Sequence, residues 1–142
     1  MDLGIKDRVA VVTGGSRGLG RQAALSLASE GVKIAICGRT SGTLDKTVEE
    51  INSLGVAATG IVADITDRDA PKRIKDVVGK ELGKIDILVN NAGGRRGGPG
   101  FDETSENEFR ENFELNLFGA MDLIRLVLPD MKQNQWGRIV NI

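Results

Sequence analysis

The sequence has no histidine, no tyrosine and a single cysteine, Cys37, among its 142 residues. One cysteine excludes an internal disulfide, and without histidine the common ligand sets for zinc are missing, so we expect no metal site. Histidine and tyrosine are also frequent proton donors at neutral pH. The usual groups for protonating a carbonyl oxygen are therefore absent from this sequence.

The sequence also lacks an excess of charge of one sign and any long apolar run. It has 19 basic and 20 acidic residues, a net charge of −1, which gives no basic field to hold nucleic acid or an anionic membrane surface. No apolar stretch approaches the roughly 18 residues of a membrane-spanning helix, and the N-terminus has no apolar signal core. We expect a soluble, cytoplasmic protein with no nucleic-acid or membrane partner.

Glycine, in contrast, is abundant: 19 residues, many of them in the segments Gly14–Gly20 and Gly93–Gly100. Between these clusters, apolar runs alternate with amphipathic stretches that end at glycines. Strands are predicted at residues 9–12, 33–37, 57–63, 85–89 and 138–142, with a helix between each pair. This β-α alternation predicts an α/β fold in which a parallel sheet has helices on both faces. The apolar positions from Phe109 to Met131 predict one long helix.

The first glycine cluster, Thr13-Gly14-Gly15-Ser16-Arg17-Gly18-Leu19-Gly20, directly follows the first strand and opens the first helix. Backbone N–H groups and a helix N-terminus at this position form a phosphate-binding site, and glycines allow a pyrophosphate to come close. A nucleoside-triphosphate loop would need Lys and Ser/Thr after Gly20, where the sequence has Arg21 and Gln22. The pattern favours a dinucleotide over a triphosphate.

The T-G-x-x-x-G-x-G string resembles the short-chain dehydrogenase/reductase family. Asn90-Asn91-Ala92-Gly93 is similar to the N-N-A-G signature of that family, and the nearest members are 3-oxoacyl-[acyl-carrier-protein] reductase-like proteins. The resemblance implies a Rossmann-type, doubly wound, three-layer α/β/α domain over residues 1–142 with strand order 3-2-1-4-5. It also implies that the catalytic C-terminal half is absent and that the chain is cut within its fifth strand.

The resemblance assigns Asn116 to the active site, where it would hold a water molecule. The family's other catalytic residues, a serine and a Tyr-x-x-x-Lys motif, have no counterpart in the sequence. The positions expected to contact the cofactor are Gly14, Ser16, Arg17, Gly18, Leu19, Gly20, Arg39, Asp64, Ile65, Asn90, Ala92 and Gly93.

The residues after the second strand indicate which dinucleotide binds. NAD-dependent enzymes usually place Asp or Glu there to bind the ribose hydroxyls, but the sequence reads Cys37-Gly38-Arg39-Thr40-Ser41. Arg39 and Arg17 could both face a 2′-phosphate, because a guanidinium pairs well with phosphate oxygens. We therefore expect NADP(H) rather than NAD(H).

Structural alternatives stay open for several of these residues. The glycine loop could be only a tight turn, Arg39 a solvated side chain, and Asp64 the cap of a turn through Thr66. Asn116 could be a satisfied polar residue inside a helix. For five other residues a structural role has at least as much weight as a functional one. The amides of Asn90 and Asn91 could tie neighbouring strands as well as meet the cofactor. Arg95 and Arg96 are expected to be solvated, and the Cys37 thiol is expected to be a small buried apolar group.

The function predicted from the resemblance is NADP(H)-dependent hydride transfer between nicotinamide and a ketone or secondary alcohol. Without the serine and Tyr-x-x-x-Lys residues, we expect residues 1–142 to be inactive alone. The alternative is a truncated, non-catalytic NADP(H)-binding or scaffolding module. A homo-oligomer, dimer or tetramer, is expected. An edge strand left without a neighbour also predicts marginal stability and a tendency to associate.

Overall fold

A computed structural model describes residues 2–142 of the chain. It contains one five-stranded sheet, in which all strands run parallel. The strands are β1 (Val9–Thr13), β2 (Lys33–Gly38), β3 (Ala58–Val62), β4 (Ile87–Asn90) and β5 (Arg138–Asn141). The helices are α1 (Gly18–Ser29), α2 (Ser41–Ser53), α3 (Ala70–Glu81), α4 (Glu106–Phe113) and α5 (Gly119–Gln133), with a π-helical turn, Glu114–Phe118, joining the last two.

The strand order β3-β2-β1-β4-β5 confirms the predicted Rossmann-type fold. All five residues of β1 are buried, because β1 lies between β2 and β4 and helices cover both faces of the sheet. The alternate sides of β1 enter two separate cores. Val9 and Val11 pack with α3 and α5, while Ala10 and Val12 pack with α1 and α2. The continuous apolar run that predicted this strand reflects burial on both sides.

The long helix predicted from Phe109 to Met131 is present as α4, the π-helical turn and α5, but only part of its apolar stripe is buried in the chain. Phe113 and Leu117 are exposed at 54% and 43%. The wider π-helical turn shifts the register of the helix. The buried residues of α5 are consequently Gly119, Leu123, Val127 and Met131, spaced four apart.

The edge of the sheet at the amino ends of the strands is closed by charged and aromatic groups. Arg8 stacks on the Trp136 ring at 4.0 Å and pairs with Asp86 at 3.3 Å. The second Asp86 oxygen accepts a hydrogen bond from the Val9 N–H. The open edge of the sheet is the opposite one, where the strands end.

Within residues 2–142, no helix combines the length and apolar character needed to cross a membrane.

Candidate functional site

A cavity of about 560 Å³ lies where β1, β2, β3 and β4 end. This is where an open α/β sheet leaves a crevice for a ligand, since the connections on either side of β1 diverge. The residues that line it come from the ends of the four strands and the loops that follow them. They are Gly14, Ser16, Arg17, Gly18, Leu19, Cys37, Gly38, Arg39, Thr40, Thr43, Ala63, Asp64, Ile65, Asn91, Ala92, Gly93, Gly94, Arg95, Arg96 and Leu115.

The N-terminus of α1 faces this cavity without a side-chain cap. Arg17 is the N-cap residue, no side chain in the described part of the chain accepts a hydrogen bond there, and the first turn has no acidic residue. The first N–H groups of a helix need acceptors and carry a partial positive charge. The end of α1 is therefore suited to bind an anion.

The glycines of the loop have different roles. Gly14 and Gly18 have φ values of +62° and +56°, which favour glycine. A Cβ at Gly20 would lie 2.4 Å from the Gly14 oxygen, so Gly20 permits a close approach of backbone to backbone. A Cβ at Gly18 would meet no atom within 4 Å, because this residue lines the open cavity.

The glycine loop and the segment after β4 are joined by side chains of both. The Thr13 hydroxyl accepts hydrogen bonds from the N–H groups of Asn91 and Ala92, at 2.9 and 2.8 Å. The Asn91 amide in turn donates to the carbonyl oxygens of Thr13 and Gly14, at 3.0 and 3.2 Å. These contacts hold the ends of β1 and β4 together and fix the floor of the cavity.

The cavity lining is strongly basic. Four arginines, Arg17, Arg39, Arg95 and Arg96, contribute to it, against a single carboxylate, Asp64. None of the four forms a salt bridge within residues 2–142. In a chain of net charge −1, this concentration of positive charge marks the cavity as a site for an anionic ligand.

Asp64 is held by Thr66, as the turn-capping alternative predicted. Its Oδ1 accepts hydrogen bonds from the Thr66 N–H at 2.9 Å and from the Thr66 hydroxyl at 2.7 Å. These two bonds lower the pKa of Asp64 below its ordinary value, and the charges of Arg39 and Arg96 add to the effect. Asp64 is thus a fixed, ionised acceptor at the rim of the cavity.

Two asparagines one helical turn apart clamp the loop that follows β4. The Asn116 amide accepts from the Gly94 N–H at 3.0 Å and donates to the Gly94 carbonyl at 2.8 Å. The Asn112 amide makes the equivalent pair with Arg96, accepting at 2.8 Å and donating at 3.0 Å. Asn116 therefore has satisfied amide atoms, as the structural alternative required, and it positions the rim of the cavity.

Most of the predicted site residues line the cavity, and three do not. Gly20 packs behind the loop. Asn90 turns away, and its amide donates to Asn141 of β5 at 2.8 Å, which agrees with the strand-tying interpretation. Asn116 acts through Gly94 and not from the lining.

The sequence prediction omitted several lining residues. Thr40 and Thr43 line the cavity, and both closely follow Arg39. Asn91, for which a structural role was given equal weight, lines it as well. Arg95 and Arg96 were interpreted as solvated, and both line the cavity too. The Arg-Arg pair between glycines was the available signal.

Cys37 ends the buried part of β2 and is only 3% exposed. Burial raises the pKa of its thiol to about 12, against a smaller lowering by a backbone hydrogen bond from Gly14. A thiol with this pKa is a poor nucleophile. Cys37 is therefore a packing residue, as expected.

The family model described as short chain dehydrogenase matches residues 8–142. The 7alpha-hydroxysteroid dehydrogenase of Escherichia coli strain K12 is 35% identical over 99% of this chain and 54% of its own length. The 3-oxoacyl-[acyl-carrier-protein] reductase FabG of Staphylococcus epidermidis is 38% identical over 96% of the chain and 56% of its own length. The chain therefore spans about half the length of these relatives.

A solved structure of a related enzyme has the same fold. A 7 alpha-hydroxysteroid dehydrogenase complexed with NADH and 7-oxo glycochenodeoxycholic acid superposes with a TM-score of 0.91 at 35% identity, over 97% of this chain and 53% of that one.

Proposed function

The chain belongs to the short-chain dehydrogenase family, and from this premise we propose that it is the NADP(H)-binding part of an oxidoreductase. The reaction is hydride transfer between nicotinamide and a ketone or secondary alcohol. The observation that carries the proposal is the convergence of the uncapped α1 N-terminus, Arg17 and Arg39 on one cavity.

The cavity fits a dinucleotide in size and in chemistry. Its volume of about 560 Å³ lies within the range of small-molecule sites. The α1 N-terminus and the glycines before it would take the pyrophosphate. Asp64, an ionised acceptor, and the backbone at Ile65 would contact the adenine, while Ala92 and Gly93 would border another part of the dinucleotide.

The preference for NADP(H) follows from the end of β2. Residues 38–41 contain no carboxylate that could bind the ribose hydroxyls, and Arg39 lines the cavity there. A guanidinium at this place favours a 2′-phosphate. This proposal departs from the NADH found in the similar hydroxysteroid dehydrogenase.

Bound nicotinamide would supply or accept the hydride, and a separate group must move the proton. Residues 1–142 contain no tyrosine, the family's proton donor. We therefore expect these residues alone to bind the cofactor without turning over a ketone. NADPH oxidation above background with the purified chain would contradict this expectation.

Calorimetric titration of the chain with NADPH and NADH tests the proposed function. We expect saturable 1:1 binding with NADPH at least about tenfold tighter, the size of one charge-assisted phosphate contact. Equal affinities would contradict the NADP(H) preference. Absence of binding to either nucleotide by folded protein would contradict the function itself.

Self-association and cellular location belong to the same proposal. Phe113, Leu117 and Phe118 are exposed on one stretch of the α4–α5 segment, and covering them would bury apolar surface. We expect a homo-oligomer. A monodisperse monomer in analytical ultracentrifugation would contradict this expectation.

For the cellular location we propose the cytoplasm, because the single, buried Cys37 suits a reducing compartment.

A further inference from the structure

Arg96 is a cavity arginine for which the proposed function gives no role. It lies on the loop after β4, and its exposed guanidinium makes no hydrogen bond or salt bridge within the part of the chain that the structure describes. Its neighbour Arg95 differs, because the Arg95 guanidinium donates to the Gly98 carbonyl in the same loop. Arg96 thus has a free donor surface at a ligand cavity.

The backbone of Arg96 is fixed although its side chain is free. Asn112, a half-buried residue of α4, accepts from the Arg96 N–H and donates to the Arg96 carbonyl. Asn112 also donates to the Glu108 carbonyl at 2.9 Å, one turn earlier in its own helix. Because α4 holds the Asn112 amide, the amide sets where the Cα of Arg96 lies.

The position of Arg96 is unexpected from the strand order. Arg96 follows β4 and Asp64 follows β3, and two strands, β2 and β1, separate them in the sheet. Both residues nevertheless line the same cavity. The Thr66 hydrogen bonds are the main cause of the lowered pKa of Asp64, and the charges of Arg39 and Arg96 contribute less. The loop after β4 and the residues after β2 and β3 therefore border one cavity.

We propose that Arg96 is a third phosphate-binding arginine, which Asn112 positions on the loop after β4 so that it contacts the cofactor together with Arg17 and Arg39. The inference rests on the proposed function and extends it. Cofactor phosphate is the favoured ligand because the guanidinium of Arg96 has no protein partner in the described chain and lines the same cavity as Arg17 and Arg39. Arginine suits the role, since its donors match phosphate oxygens and its charge persists at any physiological pH.

The test is calorimetric titration of wild type and Arg96→Gln with NADPH, NADH and adenosine 2′-monophosphate. We expect Arg96→Gln to weaken NADPH binding about tenfold. A matched loss for NADH would assign Arg96 to the pyrophosphate, whereas losses only for NADPH and adenosine 2′-monophosphate would assign it to the 2′-phosphate. Arg110→Gln is the control, because Arg110 is an exposed α4 residue paired with Glu106, and its loss should not change affinity.

Unchanged affinity of Arg96→Gln for all three nucleotides, with wild-type binding intact, would overturn this inference and leave the proposed function standing. No nucleotide binding by folded wild type would overturn both. Because Arg96 is exposed and Gln keeps the backbone contacts to Asn112, we expect an unchanged circular-dichroism melting curve.

The positioning role of Asn112 needs a separate readout, because Asn112→Ala could act through stability alone. We expect Asn112→Ala to weaken NADPH binding about threefold to tenfold in wild type, and to have no further effect in the Arg96→Gln background. An equal loss in both backgrounds would show that Asn112 acts on the fold and not through Arg96, and would overturn its assigned role.

Discussion

The Thr13 hydroxyl, at the end of β1, accepts a hydrogen bond of 2.9 Å from the N–H of Asn91, the residue after β4. The same oxygen accepts the Ala92 N–H at 2.8 Å. Two adjacent backbone donors are thus satisfied by one buried side chain on the neighbouring strand. This contact couples the glycine loop to the opposite wall of the cavity, so the two halves of the proposed cofactor site have one common support.

Thr13→Val keeps the shape of the side chain and removes the acceptor. Two largely desolvated N–H groups would lose their partner, so we expect the free energy of unfolding to fall by about 2–4 kcal/mol. Urea denaturation measures the change. Thr13→Ser retains the oxygen and should lose less than about half as much, whereas equal losses would contradict the assignment of the effect to the hydroxyl acceptor.

Replacing two different glycines with alanine should change stability in opposite directions, because one glycine is closely packed and the other is not. A Cβ at Gly20 would lie 2.4 Å from both the Gly14 oxygen and the Asn91 Nδ2, so Gly20→Ala should destabilise the chain by about 1–3 kcal/mol. A Cβ at Gly42, in α2, would meet no atom within 4 Å, and the φ of this residue is ordinary. Gly42→Ala should therefore stabilise the chain by up to about 1 kcal/mol. Thermal unfolding of both variants checks the opposite signs.

Arg39 is the residue on which the cofactor preference depends most directly. Replacing it with Asp would put a carboxylate where NAD-dependent enzymes bind the ribose hydroxyls. We expect Arg39→Asp to weaken NADPH binding at least about 30-fold and to leave NADH binding equal or tighter. Because Arg39 is exposed and makes no salt bridge in the described chain, the fold should be unaffected. A parallel loss for both nucleotides would contradict the assignment of Arg39 to the 2′-phosphate.

The architecture followed from the sequence because it depends on local patterns. Apolar runs such as Val9–Val12 and the glycines that end the helices are read directly from residue types. The glycine spacing and the N-N-A-G string then predicted where the cavity lies, because both follow directly after strands whose ends border it. These features need no knowledge of distant contacts.

What the sequence did not predict depends on long-range geometry. The π-helical turn at Glu114–Phe118 shifted the buried face of α5, and apolar spacing carries no signal for such a turn. Arg96 lines the cavity, and its backbone is held by Asn112, sixteen residues later. Asn90 and Asn91 are adjacent and chemically identical, yet the amide of Asn90 bonds Asn141 of β5 and that of Asn91 bonds the glycine loop, a difference that residue type alone does not reveal.

The Asp64–Thr66 contact predicts a pH dependence of stability. The folded-state pKa of Asp64 lies below its unfolded value, so ionised Asp64 stabilises the fold at neutral pH, and this contribution is lost as pH falls through the folded pKa. Thr66→Val removes the 2.7 Å hydroxyl bond and should raise the Asp64 pKa while the backbone bond keeps it below the ordinary range. Carbon-13 NMR titration of the carboxyl group measures the change.

The same variant should also lose stability in a pH-dependent way. We expect Thr66→Val to be about 0.5–1 kcal/mol less stable than wild type at pH 7 and nearly equal to it once the pH is low enough to protonate Asp64 in both proteins. Thr43→Val is the matched control, because its hydroxyl donates to the Thr40 carbonyl, which does not titrate. A Thr66→Val deficit that is the same at both pH values would mean that the hydroxyl acts through packing and not through the charge of Asp64.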